Sequence, residues 1–162
     1  VAYSDELGSA IEISSLSFQT FSGPKVHFSG LQIYLGLTNA VELRTEFDSN
    51  YISGTKTLVY DHSDLWLNSG SPGEWFTIDL DNSFWYNGSD NLIIDFCWPE
   101  GSESIYVWGW IGDVNRSVYG LYSGTTGVAA SHESILMKLN GTLSLDASTF
   151  GAIKATLGVE EH

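Results

Sequence analysis

Apolar side chains recur at every second position through most of this chain. That is the period of a strand with one face turned to a core. In "AIEISSLSFQ" Ile11 and Ile13 keep one phase, and Leu16 and Phe18 keep the other. A slip of this kind predicts a β-bulge between the two pairs, because one extra residue reverses the faces. Leu31, Ile33, Leu35 and Leu37 share a face in "LQIYLGLT". Phe76, Ile78 and Leu80 alternate with Trp75, Thr77 and Asp79, and Leu92, Ile94, Phe96 and Trp98 alternate with Ile93, Asp95 and Cys97. Further strands are predicted at "TKTLVY", "RSVYGLYSG" and "SILMKLNGTLSL". Turn-forming stretches such as "SGP", "NSGSPGE", "YNGSDN" and "PEGSE" separate them. The pattern predicts an all-β, jelly-roll-type antiparallel sandwich of about eight to ten strands in a single domain, residues 1–162. "NAVELRTEF" reads as one helical turn or a loop. The tail "STFGAIKATLGVEEH" fits a short helix or a strand equally, since Ile153 and Leu157 sit four apart while Ile153, Ala155, Leu157 and Val159 alternate.

One stretch carries more aromatic surface than a strand face needs. In "YVWGW", Tyr106, Trp108 and Trp110 oppose Val107, Gly109 and Ile111. If Val107 and Ile111 face the core, the rings point outward; if the rings face the core, Val107 and Ile111 lie outside. Three roles are open to the row: core filling, a platform for stacking sugar rings, or a strip that docks another protein chain. Trp66, in the polar segment "DHSDLWLNSGS", is a further tryptophan expected at the surface.

Charge narrows the partners. Acidic residues outnumber basic ones 20 to 6, for a net charge of −14, and the basic residues are not clustered. Phosphate contacts need grouped Lys and Arg, so nucleic acid and anionic lipid surfaces are poor partners. No run of 18 apolar residues occurs, which argues against membrane insertion by a helix. The lone Cys97 excludes an internal disulfide and is expected as a buried small hydrophobe, with an intermolecular bridge as the alternative. The start at Val1 reads as a processed terminus. With abundant Gly, Ser, Asn, Trp and Tyr and scarce Lys, it points to an extracellular or cell-surface protein.

Motifs for catalysis are missing. The histidines are His27, His62, His132 and His162, but no G-x-S-x-G elbow accompanies them. No P-loop is present and no Cys/His set for zinc. Twenty acids make chance carboxylate pairs plentiful, so they carry no signal for a glycosidase. No cofactor is required. Structural calcium is a candidate, because Asp61, Asp64, Asp79, Asp81 and Asp90 sit in turn-like segments that offer oxygen ligands; the plainer role for such residues is to shape turns. N-x-S/T sequons occur at Asn87, Asn115 and Asn140.

The segments Ile33 to Thr38, Thr57 to Tyr60, Gly73 to Leu80 and Phe84 to Leu92, with "NRSVYG" and "SILMKL" after them, together resemble a known type of domain. It is the jelly-roll β-sandwich domain that recurs in large secreted bacterial surface and adhesin proteins, similar to carbohydrate-binding modules. The resemblance spans roughly Leu31 to Leu139 and rests on core and turn residues. It implies the sandwich fold and an adhesive or glycan-binding role. The leading expectation is a non-enzymatic, self-assembling extracellular subunit (a filament, pilus-like or surface-layer component) joined by strand addition at sheet edges. Residues 1–10 and 149–162 are the expected arms. The alternatives are a carbohydrate-binding or adhesin module that uses Tyr106, Trp108, Trp110 and Trp66, and, third, a glycan-active enzyme.

Overall fold

The phase slip in the first long strand organises the fold. β1 (Ile11–Ser22) pairs on both sides, and both ladders break between Ile13 and Ser15. Ser14 is the extra residue, so Ile13 before it and Leu16 and Phe18 after it all reach the core. The description comes from a computed structural model and covers residues 1–23, 25–101 and 104–143. The expected C-terminal helix or strand, and the arm 149–162, lie outside the described residues.

After β1 come β2 (Val26–Ser29), β3 (Leu31–Thr38), β4 (Thr57–His62), β5 (Leu65–Leu67), β6 (Trp75–Tyr86) and β7 (Asn91–Cys97). Short ladders follow: β8 (Glu100–Gly101), β9 (Tyr106–Val107), β10 (Gly109–Ile111), β11 (Ser117–Tyr119), β12 (Ala129–Ser131) and β13 (Glu133–Ile135). β14 (Met137–Leu143) closes the described chain. The long strands stand where the alternation placed them; the ladders of two or three residues divide what the sequence reads as single strands. "NAVELRTEF" is loop, followed by a single 3-10 turn at Asp48–Asn50.

Two antiparallel sheets form the sandwich, in the orders β14-β1-β6 and β4-β3-β7. Ile13, Leu16, Phe18, Ile78 and Phe84 of the first sheet pack with Leu31, Ile33, Leu35, Val59 and Leu92 of the second. Phe18 bridges the layers, with its ring centroid 5.5 Å from Phe76 and 5.8 Å from Phe96. Burying such side chains contributes about 1.5–3 kcal/mol each. β6 has its own excursion opposite Ser14: Phe84 pairs with Ile13, but Asp79 pairs with Ser15. The four residues between leave the ladder, and Asp81 reaches β4, accepting from the Asp61 N–H at 2.9 Å and contacting His62 Nε2 at 2.9 Å. The bulge thus ties one sheet to the edge of the other.

The N-terminal segment folds back on its own chain. Ala2 exchanges two 2.9 Å backbone hydrogen bonds with Leu92 on the outer edge of β7. A one-turn helix, α1 (Ser4–Leu7), follows, and its Glu6 takes both terminal nitrogens of Arg116, at 2.5 and 2.9 Å. The Arg116 guanidinium also lies 3.9 Å from the Tyr3 ring centroid.

Candidate functional site

The outward phase of the first sheet brings together residues that are far apart in sequence. Leu16, Phe18 and Thr20 of β1 face inward, so Ser15, Ser17, Gln19 and Phe21 face outward. On β6 the same parity turns Trp75, Thr77 and Asp79 outward, and on β14 it turns Lys138 and Asn140 outward.

The centre of this face is a polar row held by its own hydrogen bonds. Ser17 Oγ and Thr77 Oγ1 are 2.8 Å apart, and Asn140 Nδ2 donates to Ser17 Oγ at 2.8 Å and Ser15 Oγ at 3.1 Å. These bonds hold the hydroxyls in fixed positions; Ser15 and Ser17 are themselves buried, Asn140 is half-buried and Thr77 is the exposed member of this polar floor.

Aromatic rings flank the floor at one end. Gln19 pairs with Trp75 of β6 on one side. On the other side β14 has ended at Met137, opposite Phe18, and β9 takes its place, pairing Val107 with Thr20. Trp108 follows directly. Its N–H donates to the Gln19 carbonyl at 2.9 Å, and its own carbonyl accepts from the Leu136 N–H at 2.8 Å. Trp75, Gln19 and Trp108 therefore form one row across three neighbouring segments, with the two indoles roughly 9–10 Å apart at the backbone. Trp108 is 45% exposed, and its ring stands edge-on to Phe21 at 4.9 Å and 89°. The Lys138 ammonium lies 3.8 Å from the Trp75 ring centroid. The loop ahead of β6 bounds the end of the row, where Gln19 Nε2 donates to Gly73 O at 3.0 Å and the Thr20 hydroxyl donates to Ser69 O.

The structure resolves the two-way reading of "YVWGW". Val107 packs against the core, so Tyr106 and Trp108 point outward. The pattern does not continue to Ile111, which is 77% exposed. The chain changes partners after Trp108, from β1 to β13, so Trp110 belongs to a separate ladder, opposite Ser134. Trp110 is exposed and lies 5.6 Å from the Arg116 guanidinium. Tyr106, Trp108 and Trp110 are thus all at the surface but do not form one straight row. The Cβ space at Gly109 is taken by the Ser134 backbone, so the close approach there comes from β13 of the same chain.

Trp66 is also exposed, yet it sits on β5 in the β5-β2-β8 sheet rather than in a loop. It stacks on His27 at 4.7 Å, with the Lys25 ammonium 5.0 Å from the ring centroid. His27 Nε2 contacts Asp64 Oδ1 at 2.5 Å.

The five aspartates considered for calcium do not converge. The Asp61 carboxylate accepts from Gln32 Nε2 at 3.3 Å, Asp81 accepts from the Asp61 N–H beside His62, Asp64 engages His27, Asp79 stands on the outward sheet face, and Asp90 accepts from Asn87 Nδ2 at 2.7 Å within its turn. Among the described residues no three His, Cys, Asp or Glu side chains are placed to hold a metal. The His62 imidazole and the Asp61 N–H hold the Asp81 carboxyl below the usual carboxylate range. Both His–Asp pairs also stack on an aromatic ring, Trp66 or Tyr60, which suits a role in fastening strands.

Cys97 lies half-buried on the outer face of the second sheet, opposite Gln32 and bonded to Asp95 at 3.4 Å. Burial and the Asp95 carboxylate push its thiol up to about 11. The sequon asparagines are half-buried and make side-chain hydrogen bonds: Asn87 in its turn, Asn115 with Glu42 at 2.7 Å, and Asn140 in the polar row.

Fold and site define an all-β antiparallel sandwich with a polar, aromatic-flanked outer face. Compared with known proteins, the chain matches no family model, no curated protein and no solved structure.

Proposed function

We propose that this is a non-enzymatic carbohydrate-binding or adhesion module of an extracellular protein, and that it binds glycan on the outer face of the β14-β1-β6 sheet. The row Trp75–Gln19–Trp108 carries the reading. Two indoles flank an amide across three neighbouring segments and adjoin the exposed Thr77 hydroxyl and the half-buried Asn140 amide. Indole faces stack on the apolar faces of sugar rings, and fixed polar groups select hydroxyl positions. The surrounding side chains are already locked by packing and hydrogen bonds, so little ordering entropy is lost on binding. The test is a broad glycan array probed with the intact chain and with Trp108→Ala. Binding by the intact chain that falls at least tenfold in the variant, with unchanged melting temperature, supports the reading. An array with no bound glycan removes it.

A second reading is self-association by strand addition, favoured by the edge of β7. β7 ends its sheet, and among the described residues its outer edge is paired only at Leu92, by Ala2. An arm that pairs with its own sheet edge has the complementarity to pair with the same edge of a neighbour. Removing residues 1–10 then abolishes assembly and leaves a folded monomer. A full-length chain that stays a monodisperse monomer at every concentration defeats this reading.

A further inference from the structure

We infer that Gln19 sets the specificity of this face, and that its Oε1 atom accepts a hydroxyl proton from a neutral sugar bound across the row. The inference rests on the proposed glycan-binding role of the face; it names the class of ligand and the group that reads it.

The Gln19 amide is oriented from behind. Its Nε2 donates to Gly73 O at 3.0 Å. A carbonyl only accepts, so the nitrogen end of the amide faces Gly73 and the oxygen end faces away from it. The loop that carries Gly73 is itself held in place. The Gly73 N–H donates to Thr20 O at 2.8 Å, the Thr20 N–H donates to Glu74 O at 2.9 Å, and the Glu74 carboxylate accepts from the Ser71 N–H at 2.7 Å. Gly73 has φ 88°, a value side chains disfavour, so a glycine lets the loop turn back onto β1 there.

Gln19 Oε1 has no hydrogen-bond partner among the described residues and is reached by solvent. The other polar side chains of the face bond to one another, from Thr77 through Ser17 to Asn140 and Ser15. Asn140 Oδ1 is also open. Asn140 pairs with Ser15, however, four residues from Gln19 and roughly 13 Å along β1. Within the row, an indole offers a donor and no acceptor, so Gln19 holds the open side-chain acceptor between Trp75 and Trp108.

That polarity selects a ligand. A hydroxyl gives a proton to Oε1. An ether oxygen, a sulfate or a carboxylate presents only lone pairs there and leaves both groups unpaired. The sugar at this point is therefore neutral and unsubstituted at the hydroxyl that Gln19 reads, in keeping with the net charge of −14. Stacking on the indoles supplies affinity with little regard to hydroxyl position, and the amide supplies the choice.

The experiment is calorimetric titration of the intact chain, Gln19→Leu and Trp108→Ala with neutral hexasaccharides of glucose, mannose, xylose and galactose. The monodeoxy and sulfated derivatives of the sugar that binds are then titrated in the same way. One monodeoxy derivative is expected to bind the intact chain about tenfold more weakly than its parent, and Gln19→Leu is expected to bind the two alike. Trp108→Ala is expected to weaken both and to keep their ratio. A Gln19 that only fastens the loop would lower affinity for parent and derivative by the same factor. No discrimination among the monodeoxy derivatives, a ratio that survives Gln19→Leu, or tighter binding of a sulfated derivative overturns the inference while the glycan-binding role stands. Binding of none of the sugars, joined to an empty glycan array, overturns both.

Discussion

A Cβ built on Gly36 of β3 would stand 2.5 Å from Cδ1 of Tyr51, so the ring occupies the space a side chain at position 36 needs. Tyr51 covers the outer face of the second sheet there, donating to Asp95 Oδ2 at 3.3 Å, with the Lys56 ammonium 5.0 Å from its ring centroid. Burial, with the Asp95 carboxylate beside it, raises the phenol far above its ordinary range. Tyr51 thus covers the outer face of this sheet around Gly36 and Asp95. Gly36→Ala forces Tyr51 aside and is expected to cost about 1–3 kcal/mol. Urea denaturation measures the loss, and glycan affinity is expected to stay unchanged.

The clasp between Glu6 and Arg116 makes docking of the N-terminal segment pH-dependent. The Arg116 side-chain hydrogen bonds hold the Glu6 carboxyl below its ordinary value. A carboxyl whose folded pKa is lowered contributes stability that is fully present above its unfolded pKa, about 4.3, and is lost as pH falls through the lower folded value. The Glu6 contribution is therefore expected to be intact at neutral pH and lost below about pH 4, while the Val1 ammonium, which burial lowers to about 6, adds an earlier loss as pH falls from about 8 to 6. Amide hydrogen exchange at Ala2 and Leu92, followed against pH, reads this directly. Glu6→Gln is expected to remove the loss of protection below about pH 4. Arg116→Ala is expected to destabilise by about 1–3 kcal/mol, because it removes the partner of Glu6 and the cation over Tyr3.

Cys97 is expected to be a slow thiol. With its pKa pushed up to about 11, it is almost wholly protonated at pH 8. Alkylation by iodoacetamide at pH 8 is expected to run about tenfold to a hundredfold slower than for a free cysteine and to keep rising with pH up to about 11, where a free cysteine has already levelled off. A rate equal to that of a model thiol at pH 8 contradicts this placement. The same protonation opposes an intermolecular disulfide through Cys97 in the folded protein.

The sandwich was legible because its signals are local. The slip between Ile13 and Leu16 announces the bulge at Ser14, since parity is counted along one strand. Leu31, Ile33 and Leu35 are buried, and Leu37 packs against them, as their alternation requires. The outward set Trp75, Thr77 and Asp79 was equally readable as the polar phase of β6. Which strand lies beside it was not. Gln19 meets Trp75 and Trp108 only through ladder registers, and no periodicity within one segment encodes those. Ile111 misled for a related reason: parity assumes one continuous strand, and the chain exchanges β1 for β13 between Val107 and Gly109.

The claim that matters most is that the Trp75–Gln19–Trp108 row is the binding surface, and one comparison tests it. Calorimetric titration of the best array ligand is made against Trp75→Ala and Trp108→Ala, with Trp66→Ala and Trp110→Ala as exposed tryptophans outside the row. The account predicts at least a tenfold loss of affinity, about 1.4 kcal/mol, at each of the first two and near-native affinity at the other two, with all four variants folded. Unchanged affinity in Trp75→Ala and Trp108→Ala, or a loss confined to Trp66→Ala or Trp110→Ala, contradicts it.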